Sequence, residues 1–364
     1  MRRGLTFGSG AGCCGPAACV GHAPGRSSVI DRRSLLTCAA AALAAPAAQA
    51  QAPAKVSRID IHHHFSPPQW IAAVKDRELL QRVNTRWTPE RSIEDMDKAG
   101  VAMAIVSVTN PGLWFGDKAA TARLARACNE YGAQMVQDHP DRFGLFAAMP
   151  MPDVDATLQE IAYAYDVLHA DGVHLFTSYG DLWLGNGSFL PVMEELDRRK
   201  ALVHVHPTAA NCCRNLVPDV PPGILEYGTD TTRAILGVTF SGTAARFPNI
   251  RFIWSHAGGT APFLAGRIER GAGNLKDREQ RLPHGIRHEL RKFNYDTAGA
   301  ANAGALVSLL KLVEISNVLF GTDFPSAGSA VDTVQGLSTV GFSDADLKAI
   351  YRDNARRLLP RLPA

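Results

Sequence analysis

Residues 59 to 65 read Ile59-Asp60-Ile61-His62-His63-His64-Phe65. β-Branched residues followed by imidazoles predict a buried strand whose polar side chains collect at its carboxyl end. Side chains alternate along a strand, so His62 and His64 share one face while His63 points the other way. Working outward from this stretch, a short apolar run followed by a longer helical pattern recurs along the chain. The runs are Val56 to His62, Val101 to Val108, Phe143 to Met149, Gly172 to Thr177, Ala201 to His206, Ile250 to His256, Phe293 to Thr297 and Val318 to Thr322. Between them, helical periodicity falls at Lys118 to Asp138, Val154 to Ala170, Phe189 to Lys200, Thr231 to Arg246, Ala301 to Leu312 and Asp344 to Leu359. Eight strand-helix units predict an α/β fold, a (β/α)8 TIM barrel, over a doubly wound sheet. No glycine fingerprint for a dinucleotide follows the first run.

The chain has 364 residues, 46% hydrophobic and 20% charged, and no apolar run near the roughly 20 residues a bilayer span needs. Its formal charge is +3, and the excess belongs to the first 50 residues, which carry five arginines and one aspartate. Taking these from 38 basic and 35 acidic side chains leaves 33 against 34. A near-neutral body without a basic run has no footprint for nucleic acid or for anionic lipid. The expected partner is a small molecule.

Residues 1 to 50 read as a targeting segment. Asp31-Arg32-Arg33-Ser34-Leu35-Leu36 precedes an Ala/Leu stretch, and Ala48-Gln49-Ala50 forms a small-x-small cleavage site. The paired arginines point to twin-arginine export and a periplasmic protein with no membrane insertion once the segment is removed. An N-terminal anchor, or a cytoplasmic protein with a misassigned start, is the alternative. Residues 51 to 364 then form one domain. Cys13, Cys14, Cys19 and Cys38 go with the leader; Cys128, Cys212 and Cys213 lack metal-ligand spacing and read as packing residues.

A parallel barrel keeps its chemistry at the carboxyl ends of its strands. Strand one ends in His62-His63-His64, strand five in His204-Val205-His206, strand six in Ser255-His256 and strand eight in Thr322-Asp323. His62, His64, His206 and Asp323 make an N/O donor set for one divalent metal, Zn2+ or alternatively Mn2+, with a coordination position left open. His256 is then an acid or base beside the metal. His204, deeper on the same face as His206, and His174, in mid-strand, read as structural. Asp296 either orients His256 or caps the next helix.

These tips resemble the amidohydrolase-related family that includes aminocarboxymuconate-semialdehyde decarboxylase and the ortho-hydroxybenzoate decarboxylases. The wording is most similar to the 6-methylsalicylate decarboxylase-like branch: Asn129-Glu130-Tyr131, His139-Pro140-Asp141-Arg142-Phe143-Gly144, Ser255-His256-Ala257-Gly258-Gly259 and Gly321-Thr322-Asp323-Phe324-Pro325 accompany the first strand. The resemblance implies a metal-dependent-hydrolase barrel with metal ligands at His62, His64, His206 and Asp323 and a catalytic histidine at His256. Arg267 matches an arginine that reaches a partner subunit's site, which implies a homodimer; the other reading of Arg267 is a surface ion pair. The family's second carboxylate-binding arginine falls on Ser92, beside Arg91, a departure that argues against the muconate semialdehyde.

The expected reaction is metal-dependent decarboxylation of a small aromatic ortho-hydroxy acid of the 6-methylsalicylate type. Its proton comes from Asp323, held neutral by an apolar pocket, or passes through His256. Phe65, Trp114, Tyr179 and Trp183, just past strand tips, are candidates for walling the ring, or are ordinary loop packing. The alternative is an amidohydrolase or lactonase using a metal-bound hydroxide; a binding protein on the same barrel is disfavoured by the full set of tip residues.

Overall fold

Apolar strands alternating with helices close into a parallel barrel in the computed structural model, which describes residues 57–77, 82–214 and 216–359. The strands are β1 (Arg58–Phe65), β2 (Val101–Val108), β3 (Phe143–Ala148), β4 (Gly172–Phe176), β5 (Leu202–His206), β6 (Arg251–Trp254), β7 (Asn294–Asp296) and β8 (Val318–Leu319). They lie in sequence order, each parallel to the next. The chain beyond β8 closes the ring on β1: Ile61 donates its N–H to the Phe320 carbonyl (3.0 Å), His64 to that of Phe324 (2.8 Å), and Asp323 to that of His62 (2.7 Å). This is the (β/α)8 barrel expected from the sequence. The leader, residues 1 to 50, lies outside the described residues.

Each strand is followed by a helix: α1 (Pro89–Ala99), α2 (Lys118–Asp138), α3 (Val154–Asp166), α4 (Leu190–Arg198), α5 (Pro222–Phe240), α6 (Ala261–Gly273), α7 (Ala303–Leu310) and α8 (Ala330–Ser338). The oxygens of Thr88, Asp117, Asp153, Asn302 and Ser329 accept from first-turn N–H groups at their N-termini. Several boundaries differ from expectation. α5 begins at Pro222, well before Thr231, because Pro221-Pro222 preset the backbone for a first turn. The sixth and eighth strands stop short of His256 and Thr322 because the chain turns there, with His256 at φ 55° and Asp323 at φ 58°. Among the described residues no helix is long and apolar enough to cross a membrane.

The barrel floor is an apolar plug of Ile59, Ile61, Met103, Ile105, Phe146, Leu202, Ile253 and Leu319, sealed by Ala355, Leu358 and Leu359 of the C-terminal segment. A larger apolar shell, including Val106, Val173 and Val203, packs the outward strand faces against the helices. β1 changes phase between plug and rim. Asp60 pairs with Ala104 and His63 with Val106, so Ile61 and His62 together oppose Ile105. Such a bulge lets two consecutive side chains face inward. It carries the inward face from Ile59 and Ile61 onto His62 and His64, and turns His63 out.

Candidate metal centre

Three imidazoles converge above the plug, each held from behind. His62 Nδ1 lies 2.8 Å from Asp296 Oδ2, His64 Nδ1 3.2 Å from the Ser107 carbonyl and His206 Nδ1 2.9 Å from the Pro207 carbonyl. Such contacts fix the tautomer and turn Nε2 forward. The Nε2 atoms of His62 and His64 are 3.1 Å apart, and that of His64 is 3.0 Å from Asp323 Oδ1. His206 Nε2 is buried without a hydrogen-bond partner among the described residues. Rings so fixed turn their Nε2 atoms toward one another and toward a carboxylate, an arrangement a shared cation stabilises; three nitrogens and one carboxylate fit a divalent transition ion.

His256 stands at the same place. Donor atoms of His62, His206, His256 and Asp323 all lie within 4.8 Å of one another, and His256 Nε2 is 3.3 Å from Asp323 Oδ2. It differs from His62, His64 and His206 in being partly exposed and in having no hydrogen-bond partner for Nδ1 among the described residues. Asp296 does more than either expected role: Oδ2 holds the His62 ring, while Oδ1 accepts from the backbone N–H groups of His256 (2.9 Å) and Ala298 (3.0 Å). His204 and His174 lie beneath, their Nδ1 atoms 3.1 Å apart.

Burial opposes charge on the His62 ring, but the Asp296 carboxylate outweighs it and leaves this imidazole raised. Burial lowers His64, and burial with the neighbouring rings holds His206 well below the usual range. Burial alone would raise Asp323, yet hydrogen bonds from His256 and His64 and the charge of His62 hold it well below the usual carboxylate range. The expectation of a neutral Asp323 is therefore corrected: the pocket around it is a ring of imidazoles, not apolar, and Asp323 is a carboxylate at neutral pH.

The site opens into a cavity of about 700 Å3 lined by His206, His256 and Asp323 together with Asn84, Asn110 and Tyr227. Sequence reading missed these last three. Tyr227 sits inside a helix with no local signal, whereas Asn110-Pro111-Gly112 after β2 is a turn signature at a strand tip. Phe65, expected to touch substrate, does not line this cavity: it ends β1 on the outward face and is buried in the shell against Trp87 and Tyr131. Trp183 instead donates Nε1 to Asp230. Trp114 and Tyr179 line a neighbouring chamber. Ser92 is buried with its hydroxyl between His63 Nε2 and Trp87 Nε1, and Arg91 is turned to the Arg86 carbonyl, so neither reaches the metal centre. Arg267 is exposed on α6, makes no ion pair among the described residues and does not line its own chain's cavity. Cys128 packs as expected, its thiol pushed up to about 12 by burial; Cys212 and Cys213 are instead joined in a disulfide after β5.

Comparison with known proteins places the chain among decarboxylases of one fold. The chain is 37% identical over 329 residues to decarboxylase yanB of Aspergillus niger, covering 84% of this chain and 88% of that protein. It is 36% identical over 289 residues to the 6-methylsalicylic acid decarboxylase of Penicillium expansum, covering 75% and 86%. A crystal structure of a dihydroxybenzoic acid decarboxylase from Polaromonas, with bound manganese and the inhibitor 2-nitroresorcinol, superposes with a TM-score of 0.72 at 22% identity over 85% of this chain and 98% of that one. The Amidohydro_2 model, described as amidohydrolase, matches residues 59–361, and the chain therefore belongs to the amidohydrolase family.

Proposed function

We propose that the protein is a metal-dependent decarboxylase of a small aromatic ortho-hydroxy acid of the 6-methylsalicylate type. The observation that carries this reading is the convergence of three back-held imidazoles and the Asp323 carboxylate at the mouth of one cavity, in a chain whose relatives are decarboxylases. His62, His64, His206 and Asp323 hold the ion and His256 handles the proton. The first four are fixed and nearly or fully buried, while the His256 ring is partly exposed and lines the cavity. Zn2+ suits the nitrogen-rich set, and Mn2+ is the alternative. When bound, the ion supplies a Lewis-acidic centre that draws in and orients the substrate's carboxylate and ortho oxygen.

The residues then divide the work. Asp323, as a carboxylate 3.3 Å from His256 Nε2, holds this ring at the edge of the cavity. His256 delivers its proton to the carboxyl-bearing ring carbon, the ortho oxygen supplying electron density. The carbon–carbon bond to the carboxylate then breaks, its electron pair restores the aromatic ring, and CO2 leaves. One proton has replaced one CO2. Asn84, Asn110 and Tyr227 present neutral hydrogen-bonding groups to the ring. Among the residues lining this cleft, only the imidazoles, with the ion, answer negative charge, which suits one carboxylate held here.

The active form is a homodimer. Ile224 and Leu225 of α5 and Phe263 of α6 are apolar and exposed, Phe263 by 85%, beside the cavity that Ile224 also lines. Arg267 lies one helical turn from Phe263, so burying this face against a second copy would carry Arg267 toward the partner's cavity. The twin-arginine leader, residues 1 to 50, directs the folded domain, residues 51 to 364, to the periplasm.

The test is CO2 release from ortho-hydroxybenzoates, including 6-methylsalicylate, by zinc- or manganese-loaded protein with and without chelator. Chelator-sensitive release is expected. Silence across the panel with metal demonstrably bound would instead move the assignment to lactone or amide hydrolysis on the same centre.

A further inference from the structure

The metal cavity is bordered by a second chamber of about 610 Å3, and Asn110 lines both. Each volume by itself lies within the range of about 300–1,000 Å3 typical of ligand pockets, so a single-ring acid held at the metal leaves the second one empty. The chamber is built for something other than that ring. Trp114 and Tyr179 give it aromatic walls, and two guanidinium groups, Arg77 and Arg214, face it with one carboxylate, Asp76. Neither arginine is neutralised by an ion pair among the described residues. Arg214 Nε is tied to the Ala209 carbonyl at 3.1 Å, which leaves its terminal nitrogens free, and Arg77 lies 3.6 Å over the ring of Phe115. Both cations are thus held in place by neutral partners.

Asn110 joins the two compartments, its Nδ2 donating to the carbonyl of Pro207, next to His206, at 2.8 Å. A guanidinium that is oriented, without an ion pair among the described residues, and in a chamber that shares Asn110 with the metal cleft is suited to bidentate recognition of a carboxylate.

We propose that this chamber is a second substrate subsite that receives an anionic arm on the aromatic acid, with Arg214 as its main anchor and Arg77 as the second. The inference rests on the metal cleft being where the ring acid binds, and it extends the 6-methylsalicylate type to salicylates whose ring arm ends in a second carboxylate.

The test is titration calorimetry on the metal-loaded full chain with salicylates whose 6-substituent ends, after one to four methylenes, in a carboxylate or in the matching carboxamide. At the best length the carboxylate arm is expected to bind about tenfold tighter than the amide, as a charge-assisted hydrogen-bonded pair should. That preference should vanish in Arg214→Gln, shrink in Arg77→Gln and weaken with added salt, while the affinity for 6-methylsalicylate stays the same in both variants. Equal affinity of acid and amide arms at every length overturns the subsite, as does a preference that survives in the double variant or a failure of every armed ligand to bind. CO2 release from the same samples reports separately on the reaction. Arm preference without CO2 would sink the decarboxylase reading alone, and CO2 without arm preference the subsite alone.

Discussion

Thr322 donates both its backbone N–H and its hydroxyl to the carboxylate of Asp60, at 3.1 and 2.6 Å. Asp60 also accepts from the His62 N–H at 3.1 Å and faces His63 Nδ1 at 3.0 Å, so one buried carboxylate ties the first strand to the residue preceding Asp323. Behind it, His63 Nε2 meets the Ser92 hydroxyl at 2.9 Å. The spacing copies a serine-hydrolase triad, but all three side chains are buried, which makes it a brace. Asp60→Asn should lower metal affinity and kcat by roughly 10- to 100-fold, the usual effect of losing a partner that orients ligands. Ser92→Ala should instead cost about 1–3 kcal/mol of stability, by stranding His63 and Trp87, with kcat retained. Metal titration, steady-state rates and denaturant melts on both variants check the split; equal loss of metal binding in the two would show that the brace acts as a unit on the centre.

His206→Ala and His256→Ala should separate binding from chemistry. The first removes a nitrogen whose ring is locked by Pro207 and should lose the ion. The second should keep the ion and lose turnover by at least about 100-fold, the lower range for a positioned acid. Elemental analysis beside CO2 assays is the check. Matching metal loss in both variants would make His256 a ligand.

Metal-free protein should be destabilised by mild acid. Burial lowers His204 to about 4 and holds His174 and His206 well below their ordinary range, so the folded chain keeps these rings neutral. In the unfolded chain they take protons near pH 6.5. The unfolded state therefore binds more protons over this window, and stability is fully present above about pH 6.5 and falls as pH drops toward 4. Thermal melts from pH 7.5 to 4 in chelator should show Tm declining in that interval, and a flat profile would contradict it.

Phe263→Glu should convert the proposed dimer to a monomer by placing a carboxylate on its apolar face. Light scattering after gel filtration should show the mass halved. Arg267→Ala should leave the mass unchanged and raise KM. An unchanged mass in Phe263→Glu would place the interface elsewhere.

The barrel and the participants at its rim were legible because strand tips are short, local patterns: His62-His63-His64, Val205-His206 and Thr322-Asp323 announce themselves. Their electrostatics were not. Asp323 looks apolar in its own neighbourhood of Gly321, Phe324 and Pro325, and becomes a carboxylate through His64 and His256, which arrive from other strands. Alternation alone placed His62 and His64 together, but continuing it from Ile59 and Ile61 would have sent them outward; the bulge opposite Ile105 reverses that, and no residue type marks it. Phe65 was misplaced for a related reason, since nearness to a tip in sequence says nothing about which face a side chain takes.

The seam between β8 and β1 sets an order of events. Asp60 and Thr322 are 262 positions apart, and the proposed ligands come from the first strand, the fifth and the chain just past the last. Nothing resembling the complete centre can exist on a nascent chain until its final quarter has emerged and docked. Capture of the ion is thus a late checkpoint, and a bound metal certifies that the ring has been closed.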